Sequence, residues 1–146
     1  MVIVFLNQKG GCGKSSCCFH LGGFLSSLGL KTLLVDADPQ GSLSQAFFGA
    51  VAVENLPARQ TLAARFSGTL HEPASLAVET EISNLFIVRS NNHLAEFNIP
   101  NLQSIGPTQW TIRSMLEDLP AFDVTLIDCP PTLYNCSRNA VLAADS

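Results

Sequence analysis

Short, almost continuously apolar runs alternate along the chain with longer stretches in which apolar residues recur every three or four positions. Runs of the first kind are typical of parallel strands buried on both faces, and stretches of the second kind indicate amphipathic helices. The runs predict strands at 1–6, 30–35, 84–88 and 122–127. The periodic stretches predict helices at 14–28, 42–48, 60–66, 93–98, 108–119 and 132–144. Strands and helices in this order predict an α/β fold, with a mostly parallel sheet flanked by helices.

Details of the pattern predict how the first helix packs and which segments stay irregular. We expect its apolar stripe to face the sheet, and that stripe consists of Cys17, Cys18, Leu21, Leu25 and Leu28. Gly22 and Gly23 in the same helix cost roughly 1 kcal/mol each relative to alanine, which predicts a close approach to the sheet, with a contact in a dimer as the alternative. Trp110, in a later helix that Pro107 and Thr108 are predicted to open, is interpreted as a packing residue. The segment 49–58 is predicted to be a loop, and 68–80 has no clear pattern.

The composition and charge of the chain limit the classes of protein to which it can belong. A chain of 146 residues, 47% hydrophobic and 14% charged, has the length and content of one folded domain with a buried core. The net charge of −4 provides no bulk basic surface for nucleic acid. No apolar run approaches the ~18 residues of a membrane span and no signal segment precedes the first strand, so we expect a cytoplasmic protein. The five cysteines include no C-x-x-C pair, which favours reduced, small apolar side chains over a zinc site.

The first strand runs through a glycine-rich turn into the first helix, with the sequence Lys9-Gly10-Gly11-Cys12-Gly13-Lys14-Ser15. A strand, a glycine loop, a Lys-Ser pair and a helix in this order are typical of loops that cradle phosphates. Glycines allow several backbone N–H groups to point at a phosphate chain, and the positive end of the helix adds to the attraction. Lys14 provides a point charge for the β- and γ-phosphates, and the Ser15 hydroxyl can ligate Mg²⁺. Gln8 stands where the ordinary pattern has its first glycine.

Aspartates follow two further strands, at the edge where open α/β sheets bind their ligands. Asp36 and Asp38 come at the end of the second predicted strand, and Asp128 ends the strand at 122–127. A carboxylate in the position of Asp128 can hold the hydration shell of Mg²⁺. We expect one of Asp36 and Asp38 to face Mg²⁺ and the other to lie toward the γ-phosphate.

The glycine loop resembles the deviant Walker A motif of the ParA/MinD family of P-loop ATPases, in which Lys9 is the additional lysine. The run Asp38-Pro39-Gln40-Gly41 is most similar to the ParA branch of that family. The resemblance covers essentially the whole chain and is strongest at 1–48 and 122–145. It implies a P-loop NTPase fold that lacks the family's C-terminal strands and helices, with a further strand expected to begin at Ser146. The sequence is therefore interpreted as a single, C-terminally truncated ATPase domain spanning 1–146.

The resemblance also implies roles for individual residues in binding and hydrolysing ATP with Mg²⁺. Lys14 would bind the phosphates, and Lys9 would reach across to the phosphates of a partner subunit. Asp38 would position the attacking water. Mg²⁺ would be held by Ser15, with Asp36 and Asp128 supporting its water shell. The implied nucleotide contacts are Lys9, Gly10, Gly11, Cys12, Gly13, Lys14, Ser15 and Ser16.

As partners, the resemblance implies a homodimer that closes on ATP and a centromere-binding protein of the ParB type that stimulates hydrolysis. DNA would be bound nonspecifically through the missing C-terminal part, in plasmid or chromosome partition at the nucleoid. Three alternatives stay open. The first is a related ATPase with another cargo, as in MinD-like cell division or cellulose synthesis. The second is a non-catalytic nucleotide-binding fragment, and the third, an iron–sulfur reductase branch, is disfavoured because no cysteine lies between residues 18 and 129.

Overall fold

The computed structural model describes residues 1–69, 72–100 and 108–145. Its strands are β1 (Val2–Phe5), β2 (Thr32–Asp36), β3 (Ala77–Glu79), β4 (Leu85–Val88) and β5 (Val124–Asp128). They form one sheet in the order β1-β5-β2-β4-β3, in which β3 pairs antiparallel with β4 and the other neighbours are parallel. The predicted α/β fold with a mostly parallel sheet is confirmed. Strand β3 was not predicted, because an edge strand of three half-buried or exposed residues carries no strong apolar pattern.

The helices are α1 (Lys14–Ser27), α2 (Ser42–Phe48), α3 (Ala50–Glu54), α4 (Ala63–Phe66), α5 (Thr111–Asp118) and α6 (Asn135–Ala143). Short 3₁₀ helices lie at Ala58–Gln60, Pro73–Leu76 and Asn92–Phe97. Helix α2 has the predicted bounds. Helix α3 lies in the segment predicted as a loop, where the fully buried side chain of Val53 holds one turn against the core. Among the described residues, no helix has the length and apolar character needed to cross a membrane.

The sheet is covered by helices on both faces, which explains why its central strands are apolar at successive positions. Leu34 and its neighbours on one face pack with α1 and α2, and Leu33 and Val35 on the other face pack with α4, α5 and α6. All five residues of β2 are buried, and so are all five of β5. This arrangement leaves the carboxyl ends of the parallel strands as the edge at which loops can form a site.

Helix α1 packs differently from the predicted stripe. Its buried residues are Cys18, Gly22 and Ser26, whereas Cys17 and Leu28 of the expected stripe are exposed. The cause is the predicted close approach at Gly22, where an added Cβ would lie 2.8 Å from Cδ2 of Leu34. The helix therefore turns its glycine side to the sheet, which carries its larger apolar side chains toward the margins of the contact.

Three further predictions concern residues outside the core or outside the described ranges. Trp110, interpreted as packing, has 47% of its surface exposed, so that interpretation is wrong. It precedes the first turn of α5, and the helix places Ile112 and Met115, not Trp110, against the core. Pro107 and Ser146, the residues expected to open a helix and a further strand, lie outside the described residues.

Candidate nucleotide-binding site

The carboxyl ends of β1, β2 and β5 meet side by side at one edge of the sheet. Asp128 is paired in register with Phe5 on one side and with Asp36 on the other. The glycine loop follows β1, so it begins next to both aspartates. The three sequence features that predict a nucleotide site are thus brought to one place by the strand order alone.

The glycine loop adopts the backbone that its sequence predicts. Gly11 and Gly13 have φ values of 69° and 88°, in the left-handed region that other residues rarely adopt. Gly13 precedes the first residue of α1, and its carbonyl accepts the hydrogen bond from the amide of Cys17 at 2.8 Å. The first turn of α1 contains no acidic side chain, so its positive end stays available to an anion.

A cavity of about 340 Å³ lies over this loop. Lys14 is half-buried beside it, and Asp38 lies at its rim from the turn after β2. Lys9, in contrast, is exposed and does not line the cavity. The residues that line the cavity are Gly10, Gly11, Cys12, Gly13, Lys14, Ser15, Ser16, Asp38, Gln40, Ser42 and Pro131.

Asp128 contacts the first turn of α1. One of its carboxylate oxygens accepts a hydrogen bond, and the other has no hydrogen-bond partner. The Ser15 hydroxyl donates to Oδ2 of Asp128 at 2.5 Å, and Oδ1 is buried without a hydrogen-bond partner. Burial raises the pKa of Asp128 to about 6, and the hydrogen bond from Ser15 opposes that rise. A buried carboxylate oxygen without a donor, next to a serine hydroxyl, fits a divalent cation that prefers oxygen ligands.

Asp36 is surrounded by protein donors. Its Oδ2 accepts hydrogen bonds from the amide of Ser44 at 2.8 Å and from the Ser44 hydroxyl at 2.7 Å. Its Oδ1 accepts from the amide of Asp38 at 3.2 Å. The side chain is fully buried, and this burial raises its pKa to about 7, although the bonds from Ser44 act in the opposite direction. Asp36 thus faces α2 and its own turn, and its support of a Mg²⁺ shell stays a prediction.

Asp38 occupies the turn between β2 and α2 with its carboxylate half-exposed at the cavity. Its Oδ1 accepts from the amide of Gln40 at 2.9 Å, and its carbonyl accepts from the amide of Gly41 at 2.9 Å. These bonds close a tight turn that holds the side chain near the glycine loop. A carboxylate on such a turn can orient a water molecule if its turn is held in place.

Three cavity residues were not predicted as site residues: Gln40, Ser42 and Pro131. Each follows one of the predicted aspartates by two to four residues, so proximity to the strand ends was the signal that could have found them. Cys129, next to Asp128, is fully buried, and burial raises the pKa of its thiol to about 12. It acts as a small apolar side chain, as predicted for the cysteines.

Comparison with known proteins identifies the family. The model of a family described as an AAA domain matches residues 1–146, the whole chain. The chain belongs to the AAA domain family. Within it, the resemblance to ATPases of the ParA/Soj type that the sequence motifs predicted is confirmed.

The chain is similar to partition proteins and to structures that contain a bound nucleotide. It is 34% identical over 143 residues to the chromosome-partitioning ATPase Soj of Treponema pallidum, covering 98% of this chain and 53% of that protein. Cobyrinic acid a,c-diamide synthase of Mycobacterium smegmatis with bound ADP and magnesium superposes with a TM-score of 0.84 at 28% identity, covering 98% of this chain and 56% of that one. The ATP complex of a Cyanothece McdA variant superposes with a TM-score of 0.80 at 30% identity, covering 99% and 53%. The chain spans about half the length of the relatives it matches.

Proposed function

We propose that this chain is the nucleotide-binding part of an ATP-driven dimerisation switch of the ParA type, acting in plasmid or chromosome partition. The observation that carries the proposal is the cavity in which Lys14, Ser15 and Asp38 come together above Asp128. The similarity to Soj and to ATP- and ADP-bound structures supports ATP as the ligand.

The glycine loop and Lys14 would bind the phosphates of ATP. The amides of the loop donate to phosphate oxygens, and Lys14 adds a positive charge at the β- and γ-phosphates. Ser15 and Asp128 would hold Mg²⁺, which neutralises negative charge on the β- and γ-phosphates during transfer. Asp128 suits this role because its Oδ1 is buried and has no donor from the protein.

Asp38 would orient the attacking water, because its carboxylate lies at the rim of the cavity on the turn after β2. Lys9 is exposed and lies off the cavity of its own subunit, which suits a role in a second subunit. In that role it would contact the partner's phosphates and neutralise charge in the transition state, as an arginine finger does in trans. The complete site would then need two copies of the chain.

We infer the cellular partners by analogy with a relative. Soj of Treponema pallidum is a chromosome-partitioning ATPase. By analogy, a centromere-binding protein of the ParB type would stimulate hydrolysis, and a C-terminal part of a longer protein would bind DNA nonspecifically. A second candidate is a related ATPase with another role. It is supported by the structural similarity to cobyrinic acid a,c-diamide synthase, with a TM-score of 0.84. Dimerisation on ATP and nonspecific DNA binding by the longer protein would favour the first candidate.

The test is the solution mass of the chain with and without ATP and Mg²⁺, measured by light scattering beside ATP affinity. We expect ATP to double the mass, Lys14→Ala to abolish ATP binding, and Lys9→Ala to abolish dimerisation while ATP still binds. Arg113→Ala is a matched control, since Arg113 is an exposed cation on α5 away from the cavity. Absence of ATP binding would overturn the nucleotide site. Tight ATP binding at constant mass would overturn the switch.

A further inference from the structure

A buried hydrogen-bond relay lies directly behind the turn that carries Asp38. Ser44, on α2, donates its hydroxyl to Asp36 at the end of β2, and the same hydroxyl accepts from the amide of Ser90, which follows β4, at 2.9 Å. Asp36, Ser44 and Ser90 are all fully buried. One serine hydroxyl therefore joins three segments that water does not reach.

The relay reaches Asp38 through the remaining oxygen of Asp36. Oδ1 of Asp36 accepts from the backbone amide of Asp38, so the start of the turn is tied to the relay. The far end of the turn is pressed against the same segment, because a Cβ added at Gly41 would lie only 2.6 Å from the carbonyl oxygen of Ser90. Gly41 has a φ of 66°, which further excludes larger residues. Both ends of the Asp38 turn are thus set by contacts behind it.

The bonding of Asp36 distinguishes this arrangement from a role at a metal. Its two oxygens together accept three hydrogen bonds from Asp38 and Ser44. In Asp128, by comparison, one oxygen lacks any donor. Two carboxylates at neighbouring strand ends therefore have different surroundings. Asp36 is saturated by hydrogen bonds from the turn and α2, whereas Asp128 keeps one buried oxygen without a donor.

We propose that Ser44 is a positioning residue for Asp38, acting through Asp36. The hydroxyl of Ser44 holds the Asp36 carboxylate against α2 and the segment after β4, and Asp36 in turn holds the amide of Asp38. The carboxylate of Asp38 then stays at the cavity in the orientation that water activation needs. This inference rests on the proposed function, because it assigns Ser44 and Asp36 to the hydrolytic step of that same site.

The experiment compares Ser44→Ala with the wild-type chain in steady-state ATP hydrolysis, ATP affinity and amide hydrogen exchange. We expect kcat to fall about tenfold, the order expected for one lost buried hydrogen bond in positioning, with KM and ATP affinity changed less than about twofold. Exchange at the Asp38 amide should accelerate about tenfold while exchange in α1 stays the same. Ser26→Ala is the matched control, since Ser26 is a buried helical serine whose hydroxyl donates to the carbonyl of Gly23, away from the relay.

A general loss of structure would raise KM and accelerate exchange throughout the sheet, and that result would overturn the proposal. Unchanged kcat and unchanged exchange at Asp38 would overturn it as well. Asp36→Asn tests the alternative role: the Mg²⁺ concentration needed for ATP binding should stay the same, and a tenfold increase would assign Asp36 to the metal instead. If the wild type binds ATP without hydrolysing it, the hydrolytic part of the proposed function fails. Exchange at the Asp38 amide then decides the positioning role alone.

Discussion

The hydroxyl of Ser15 donates a 2.5 Å hydrogen bond to Oδ2 of Asp128, joining the first turn of α1 to the end of β5 across 113 residues of sequence. The bond connects the helix that follows the glycine loop to a buried carboxylate at the end of the neighbouring strand. Both groups are oxygen ligands of the kind that Mg²⁺ prefers, and Oδ1 of Asp128 has no other partner. The two residues proposed to hold Mg²⁺ are therefore brought together by the fold itself.

Asp128→Asn should remove most of the effect of Mg²⁺ on ATP binding. The amide keeps the size of the side chain but loses its charge, whereas the loop amides and Lys14 are untouched and still bind the phosphates. ATP titrations in EDTA and in Mg²⁺ would check this, with Glu117→Gln, an exposed carboxylate on α5, as the control. If Mg²⁺ increased the affinity for ATP equally in Asp128→Asn and in the wild type, Asp128 would be excluded as a metal ligand.

Much of this site could be predicted from sequence because its signals are local. A glycine loop between a strand and a helix, and aspartates at strand ends, depend on a few consecutive residues. The sequence did not indicate which residues would donate hydrogen bonds to each carboxylate. Asp36 accepts a hydrogen bond from the hydroxyl of Ser44, eight residues later, and Asp128 accepts one from the hydroxyl of Ser15, 113 residues earlier. Both aspartates nevertheless follow similar apolar runs. That difference depends on which helix packs behind each strand, which is a tertiary property.

The packing of helices was the weakest part of the prediction for the same reason. Periodicity identified α1 but assigned Cys17 and Leu28 to its buried face, and both are exposed. The close contact of Gly22 with Leu34 determines the rotation of the helix. The two glycines predicted a close approach to the sheet, but the apolar periodicity alone does not encode the rotation that results. Strand β3 was missed because its pairing with β4 supplies the stability that its three residues lack alone.

The stability of the nucleotide-free chain should fall as pH rises from about 4 toward about 7. Burial raises the pKa of Asp36 to about 7 and that of Asp128 to about 6, above the ordinary value of 3.8. The folded state then holds protons that the unfolded state has released, so the free energy of unfolding decreases with pH across this interval. Urea denaturation at several pH values would measure the slope.

Two variants test the origin of that pH dependence. Asp36→Asn and Asp128→Asn should each flatten the slope, because each removes one of the two carboxyl groups with a raised pKa. Mg²⁺ with ATP should raise stability at neutral pH by binding only the folded state. A free energy of unfolding that increases between about pH 5 and about pH 7 would contradict the assignment of these buried groups.

Two of the five thiols should react rapidly with a disulfide reagent at neutral pH. Cys12 and Cys17 are exposed, whereas burial raises the pKa of Cys18, Cys129 and Cys136. ATP should protect Cys12, which lines the cavity, and modified Cys12 should bind ATP poorly. Cys12→Ser leaves Cys17 as the internal control. Modification of Cys12 at the same rate with saturating ATP would show that the phosphates do not cover the loop.

Gly22→Ala and Gly23→Ala should have opposite effects on stability, although the two glycines are adjacent in one helix. A Cβ at position 22 would lie 2.8 Å from Cδ2 of Leu34, which is fully buried, so overpacking should destabilise the fold by about 1–3 kcal/mol. A Cβ at position 23 meets nothing within 4 Å, so the higher helix propensity of alanine should stabilise by roughly 0.5–1 kcal/mol. The urea concentrations at the unfolding midpoints of the two variants, compared with that of the wild type, would show whether each substitution stabilises or destabilises the fold. Equal shifts in the same direction would mean that α1 does not approach β2 through Gly22.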